Sequence, residues 1–316
     1  MNAIVHPDWP EARFNISGMF SHEPLIARFL DVTKQNFGCD LPIEAIHGAP
    51  KVPWNAGRPT TAVQDRREFE VGLEWLYARG IGYFPTFTNH HITAGELDNA
   101  DCNFILDTLH HRLDLNGVIV TSDLLAGHIT RRCPGLRQIA SVTKVSLDGG
   151  KGRVEYYQQL EKRFVRYVVD PDDGRNLKLL DSLDRDKAEI IVNENCVVHC
   201  PHRARHYDIS ARLQLGMGTA NEPALRQELA QIGTGCRSPI SLRSMGPPQR
   251  SCNLTRQEMK AVYDMGFRHF KLQGRGDDRN LYLYDLTRYL LEPEFAAPLV
   301  FKILCTWLSQ VPGRKP

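Results

Sequence analysis

The chain has 316 residues, which is enough for one large α/β barrel or two smaller domains. Hydrophobic residues make up 42% of it and charged residues 24%, the balance of an ordinary soluble globular protein. The formal net charge of +2 neither requires nor excludes a nucleic-acid partner, because a local basic patch can lie within a balanced total.

No export or membrane signal is evident in the sequence. The opening residues, MNAIVHPDWPEARF, lack the basic segment and apolar run of a secretory signal. The longest apolar stretch, AAPLVFKILCTWL, contains Lys302 and is too short to span a bilayer, so we expect a buried helix over about 293–309 and no membrane span. In the cytoplasmic setting that this predicts, the eight cysteines argue against a disulfide framework and leave buried thiols, metal ligands or a redox site.

Short β-rich segments alternate with helical patterns along the chain. The predicted strands, in chain order, are 14–19, 41–47, 83–89, 117–123, 138–144, 166–172, 188–195 and 269–275. The helical patterns between them include 23–37, 62–80, 99–113 and 254–266. Strands that alternate with helices pair in parallel through right-handed crossovers, so eight such units predict an α/β fold, a (βα)8 TIM-type barrel formed as a single domain by residues 1–316. A doubly wound open sheet is the alternative.

About seventy residues separate the seventh and eighth predicted strands, which is more than one crossover helix needs. This segment contains three stretches rich in Gly, Pro and Ser. We therefore predict a long, irregular, cysteine-containing insertion over about 197–253, and insertions of that length are usually functional or disordered.

In a barrel of this kind the active site lies at the carboxyl ends of the strands. The candidate catalytic residues at those ends are His47, His90, Asp123, Lys144, Asn193 and Arg275. Several have a simpler interpretation. Asp123 suits a helix cap, and Lys144 is more often a solvated charge or a phosphate contact than a Schiff-base lysine. His90 and His91 cannot both point inward if strand alternation continues through them.

The cysteines fall into two groups. Four lie in or beside helical patterns and are predicted to be small buried side chains: Cys39, Cys102, Cys133 and Cys305. The other four follow the seventh strand within one long segment: Cys196, Cys200, Cys236 and Cys252. Four thiolates that one loop can bring together suit a tetrahedral zinc site or a 4Fe-4S cluster, and four unrelated free thiols are the alternative.

Several of these segments resemble a known family. CNLTRQEMKAVYDMGFRHFKLQGR resembles the helix–strand element of the collagenase-like peptidases of unknown catalytic type, peptidase family thirty-two, with Gln273 in place of the family's acidic residue. IVNENCVVHCPHRARHYD is similar to the family's strand end with its first two cysteines, and IGTGCR to its GTC element.

The resemblance implies a barrel that carries a 4Fe-4S cluster on Cys196, Cys200, Cys236 and Cys252. Some members of the family are labelled proteases, whereas others are linked to oxygen-independent hydroxylation of ubiquinone precursors or of RNA bases. Some act as pairs, so a paired protein subunit of the same family is a further expectation.

Three functions are consistent with these patterns. The first is an iron–sulfur oxidoreductase of the hydroxylase type, acting on a small-molecule or RNA substrate bound by His202, Arg203, Arg205, His206 and Tyr207. The second is a peptidase-like hydrolase, although the sequence contains neither H-E-x-x-H nor G-x-S-x-G. The third is a non-catalytic RNA- or partner-binding barrel with a structural zinc site, in which the basic segment HRARHY contacts phosphates. Pairing of Arg203 and Arg205 with the acids of DRDKAE is the simpler alternative.

Overall fold

Eight parallel strands close into a barrel in chain order, which confirms the predicted TIM-type layout and excludes the open sheet. The computed structural model describes residues 5–56, 62, 65–194, 196–233, 251–274 and 278–308. The strands are β1 Arg13–Ser17, β2 Ile43–Gly48, β3 Gly82–Phe87, β4 Gly117–Val120, β5 Arg137–Ala140, β6 Arg166–Val168, β7 Ala188–Ile191 and β8 His269–Leu272. Each begins within three residues of its predicted start.

Helices follow the strands and surround the barrel. They are α1 Glu23–Phe37, α2 Arg66–Tyr77, α3 Ala100–Leu109, α4 Asp123–Arg132, α5 Val142–Leu147, α6 Val154–Arg163, α7 Leu177–Leu180, α8 Arg203–Gly216, α9 Glu222–Gly233, α10 Arg256–Asp264, α11 Arg279–Leu290 and α12 Pro293–Leu308. At the start of α10, Thr255 and Glu258 form the capping box that their spacing predicts.

Seven of the eight predicted strands extended too far at their carboxyl ends. In two of them a serine side chain ends the strand early. Ser122 accepts a hydrogen bond from the amide of Leu125 and so begins α4, and Ser141 accepts one from Thr143 and begins α5. The predictions that placed Asp123 and Lys144 on strands were therefore wrong. Asp123 is the first residue of α4, and Lys144 lies within α5.

The sequence predicted an irregular segment between β7 and β8, but part of this segment is helical. Its described part contains α8 and α9, which pack against each other. Cys236, within the predicted insertion, lies outside the described residues.

Apolar side chains fill one part of the barrel interior, and a helix caps the barrel. One cluster of buried residues lines the interior: Ala45, Phe84, Ile119, Ile139, Val142, Val168 and Ile191. Tyr207 of α8 packs against this cluster. The helix α8 therefore lies over the mouth of the barrel, at the carboxyl ends of the strands.

A charged network lies among the inward-facing positions of the strands. Arg166 forms ion pairs with Glu44, at 3.0 Å, and with Glu189, at 3.4 Å. Lys271 lies 3.3 Å from Glu189, and the side-chain amide of Asn15 donates to Glu189 at 3.4 Å. Buried charges persist only when they are paired in this way, so the network fixes the relative positions of strands that are not adjacent in sequence.

Replacement of Glu44 should give a stability loss that depends on pH. Burial alone would raise the pKa of Glu44, but hydrogen bonds and charges from His269 and Arg166 lower it from 4.5 to about 2. Because the folded-state pKa is the lower one, the carboxylate contributes its full stability above pH 4.5 and loses it as the pH falls towards 2. We expect Glu44→Gln to lower the free energy of unfolding by about 3 kcal/mol at pH 7 and by progressively less below pH 4.5.

Urea unfolding from pH 7 down to pH 3 measures this difference. The control is Asp107→Asn, which removes an exposed ion pair with Arg132 and should cost less than about 1 kcal/mol. Equal losses for both variants would show that Glu44 does not carry a buried charge.

Candidate functional site at the barrel mouth

The helix α8 spans the mouth from β6 to β3. Near its start Arg203 contacts Asp170, just beyond β6, and further along the carbonyl of Ala211 accepts a hydrogen bond, at 3.1 Å, from the side chain of the buried Asn89, just beyond β3. Eight residues of helix rise by about 12 Å, which is enough to cross the opening. Residues on the underside of α8 consequently meet the strand ends from above.

Arg203 is the buried anchor of this helix. Its Nη1 lies 2.9 Å from Oδ1 of Asp170 and 3.1 Å from Oδ2 of Asp172. Its Nη2 donates to the carbonyl of Val197 at 3.0 Å and to Sγ of Cys252 at 3.1 Å. Its side chain is only 7% exposed, so one guanidinium joins two carboxylates and a sulfur inside the protein.

Asp172 is held ionised by the groups around it. Burial alone would raise its pKa, but Lys151, the amide of His199 and Arg203 hold the pKa well below its usual range. The amide of His199 donates to Asp172 at 2.8 Å from a left-handed backbone conformation, with φ of 55°. A residue with a side chain adopts that conformation at a cost of about 1 kcal/mol or more, which the contact with Asp172 offsets.

Three of the four predicted metal-ligating cysteines lie in this region. Val197 and Ser251 form an antiparallel β-bridge, and the amide of Cys252 donates to the carbonyl of Cys196 at 2.8 Å. Cys200 follows in the turn, where its amide donates to Val197 at 3.1 Å. The fourth predicted ligand, Cys236, lies outside the described residues.

Cys252 is buried and Cys196 and Cys200 are half-buried. The charges around the sulfurs are of both signs, because Arg203 is positive and Asp172 and Glu194 are negative. Burial raises the pKa of Cys196 to about 12 and raises that of Cys252, and the charge of Arg203 opposes both changes. Among the described residues, the sulfurs of Cys196, Cys200 and Cys252 do not all lie within 4.8 Å of one another. A tetrahedral zinc ion with Zn–S bonds of about 2.3 Å would require sulfurs roughly 3.8 Å apart.

His47 and Asn193, two candidate catalytic residues, are engaged with neighbouring protein groups. Nδ1 of His47, inside the barrel, lies 2.8 Å from Oδ1 of Asn15. The side chain of Asn193 donates to the carbonyl of Gln273 at 2.6 Å and to Asp285 at 2.7 Å. Asn193 therefore ties the end of β7 to that of β8. Arg275, a third candidate, lies outside the described residues.

Asp123 and Lys144, two further candidates, contact each other. Nζ of Lys144 lies 3.0 Å from Asp123 and 3.0 Å from Asp148, and Arg163 lies 2.8 Å from Asp123. Burial alone would raise the pKa of Asp123, but Lys144 and Arg163 lower it. These contacts join α4, α5 and α6.

His90 and His91 both reach one carboxylate of α8. Nε2 of His91 lies 2.7 Å from Oδ1 of Asp208, and Nε2 of His90 lies 3.4 Å from the same oxygen. Because β3 ends at Phe87, the strand alternation that would have separated the two rings does not extend to them. Burial lowers the pKa of His90, and His91 adds to that effect.

The predicted substrate-binding residues do not form one surface. Arg203 and Tyr207, four residues apart, face the barrel, whereas His202 and Arg205 are exposed and His206 is half-buried. A helical turn of 3.6 residues explains the division. The partners of the two arginines are also not the acids of DRDKAE. Arg203 pairs with Asp170 and Asp172, and Arg205 lies 3.5 Å from Glu228.

Asp172 and Asp208 were not among the site residues predicted from the sequence. Asp172 follows Asp170 by two residues in DPDD, a polar segment just beyond β6 where a barrel places functional groups. Asp208 stands in the middle of a helix, and no signal in the sequence marks it as a partner of His90 and His91.

One large cavity lies elsewhere in the molecule. Its volume is about 630 Å³, and none of the predicted site residues lines it. Its walls come from the N-terminal segment, α10, α11 and α12, and are mostly apolar. Among the described residues, no helix is both long and apolar enough to cross a bilayer.

The comparisons with known proteins gave a match among solved structures. No protein-family model matches the chain, and no curated protein matches it. A solved structure titled "The Structure of the U32 Peptidase Mk0906" aligns with 84% of this chain and 93% of that chain, at 13% sequence identity and a TM-score of 0.49. At that identity and TM-score the match carries no inference about family or activity.

The burial of the cysteines predicts an order of alkylation in metal-free protein. The prediction that Cys305 is buried was wrong, because its side chain is exposed. Cys200 is half-buried, whereas Cys252 is fully buried with a raised pKa. Because iodoacetamide reacts with accessible thiolates, we expect Cys252 to react at least about tenfold more slowly than Cys305. Mass-spectrometric mapping over time measures the order, and equal rates for Cys252 and Cys305 would contradict the described burial.

Proposed function

We propose that the chain is an iron–sulfur oxidoreductase in which Cys196, Cys200, Cys236 and Cys252 hold a 4Fe-4S cluster at the barrel mouth. The observation that supports this most strongly is the backbone pairing of Cys196 with Cys252, two cysteines far apart in sequence. That pairing gathers soft ligands at the end of the barrel where (βα)8 enzymes carry their chemistry.

The spacing of the described sulfurs favours a cluster over a single zinc ion. Each cysteine of a 4Fe-4S cluster binds a different iron, so its sulfurs lie farther apart than the ligands of one ion. The described sulfurs of Cys196, Cys200 and Cys252 do not all lie within 4.8 Å of one another, whereas the sulfur ligands of one zinc ion lie roughly 3.8 Å apart. Arg203 adds a positive charge and a hydrogen bond to the sulfur of Cys252, which would stabilise a thiolate at that position.

The residues of the chain would then tune and position the site. When bound, the cluster would supply one-electron transfer to or from a substrate. The hydrogen bond from Arg203 to a ligand sulfur is a known means of adjusting a cluster's potential, and Asp170 and Asp172 fix Arg203 in place. The activity we propose is of the oxygen-independent hydroxylation type, on a small-molecule or RNA substrate that approaches the exposed His202 and Arg205.

Two alternatives remain, and the structure bears on each. A peptidase-like hydrolase needs a nucleophile with its base or an open metal site, and the cluster of His90, His91 and Asp208 is the described feature relevant to it. A non-catalytic RNA-binding barrel would use the basic segment at the start of α8, but Arg203 is buried in ion pairs and cannot contact phosphates.

Iron and acid-labile sulfide analysis of anaerobically purified protein tests the proposal. We expect about four irons and four sulfides per chain, and a loss of both by at least about tenfold in Cys196→Ala/Cys200→Ala. The matched control is Cys39→Ala/Cys305→Ala, which removes two cysteines outside the mouth and should retain the cluster. Stoichiometric zinc without iron in the unaltered protein would overturn the proposal.

A further inference from the structure

Two adjacent histidines and an aspartate meet at the β3 side of the mouth. The ligand atoms of His90, His91 and Asp208 all lie within 4.8 Å of one another, and no other trio of His, Cys, Asp or Glu in the described part of the chain does so. The three residues come from a strand-end loop and from α8, so the helix that crosses the mouth completes the group.

We propose that His90, His91 and Asp208 form a binding site for one divalent first-row transition-metal ion. The site is separate from the cysteines, and its occupancy does not depend on the proposed cluster.

The distances suit such an ion. Metal–ligand bonds of about 2.0–2.2 Å to imidazole nitrogen and carboxylate oxygen place tetrahedral ligand atoms roughly 3.4 Å apart. The two histidine Nε2 atoms lie 2.7 and 3.4 Å from Oδ1 of Asp208. An ion between them would need the contact between His91 and Asp208 to lengthen by roughly 0.7 Å, while the distance from His90 to Asp208 already fits. Two imidazoles and one carboxylate are also the ligand set of open catalytic zinc and non-haem iron sites.

The groups behind the ligands hold them in place. Arg212 donates to Oδ2 of Asp208 at 2.9 Å, which leaves Oδ1 directed at the histidines. Glu228 in turn holds Arg212 at 3.0 and 3.1 Å and balances its charge. On the other side, the amide of His91 donates to the side chain of Asn89 at 3.0 Å. Outer partners of this kind orient the ligands of metal sites.

Three protein ligands leave at least one coordination position open. The side chains of His91 and Asp208 are 37% and 34% exposed, so solvent or a ligand can reach that position. The class of ligand we expect there is water, or an oxygen or nitrogen donor of a molecule that enters the mouth.

Cobalt(II) titration of chelator-treated protein tests this site, because its spectrum separates it from the cysteines. Cobalt bound by nitrogen and oxygen shows ligand-field absorption alone, whereas thiolate ligands add intense charge-transfer absorption in the near ultraviolet. We expect one equivalent of cobalt that shows ligand-field absorption without thiolate charge transfer, in addition to any cobalt that the cysteines bind. Its affinity should fall about 100-fold or more in His90→Ala/His91→Ala.

The chain offers a matched control in its second pair of adjacent histidines. His110 and His111 are exposed in a short 3-10 helix, and His110→Ala/His111→Ala should leave the titration unchanged. Asp208→Asn, which keeps the size of the side chain, should weaken binding as the double histidine variant does and serves if that variant unfolds. Unchanged binding in Asp208→Asn, equal losses in both histidine pairs, or cobalt absorption of the thiolate type alone would each overturn the proposal.

Discussion

The arrangement of the barrel mouth depends on one buried guanidinium. Arg203 binds Asp170 and Asp172 beyond β6 and reaches the sulfur of Cys252, all with a side chain that is almost fully enclosed. A buried charge is stable only with well-placed partners, and loss of one partner typically costs about 3–5 kcal/mol. The strand ends and α8 are therefore held in one relative position by their charges, while Tyr207 adds apolar contact with the interior of the barrel.

Both candidate metal-binding groups follow from that position of α8. On the β6 side, Arg203 lies between two carboxylates and the sulfur of Cys252. The backbone of Cys252 is paired with that of Cys196. On the β3 side, the same helix brings Asp208 to His90 and His91. A shift of α8 by one turn, about 5.4 Å, would separate Asp208 from the histidines and Arg203 from its carboxylates together. The position of α8 therefore determines the geometry of both groups, the cysteines on the β6 side and the histidines with Asp208 on the β3 side.

The secondary structure that depends on local sequence patterns was predicted well. The β-rich segments predicted all eight barrel strands, and the spacing of Thr255 and Glu258 predicted the capping box of α10. Both signals are local properties of the sequence. The ends of β4 and β5 were missed because a single serine cap outweighs the β-propensity of the residues around it. The partners of Arg203 and of Asp208 could not be predicted, since they join residues far apart in sequence and depend on how α8 crosses the barrel.

Hydrogen exchange of the helix amides in Arg203→Met tests most directly whether Arg203 holds α8 across the mouth. We expect amides of α8 to exchange at least about tenfold faster than in the unaltered protein, while those of β1 to β8 keep their protection, because loss of the ion pairs should free the helix before the barrel. Arg205→Met, a change of the same kind at an exposed position of the same helix, should leave the exchange of α8 unchanged. Unaltered protection of α8 in Arg203→Met would contradict the account.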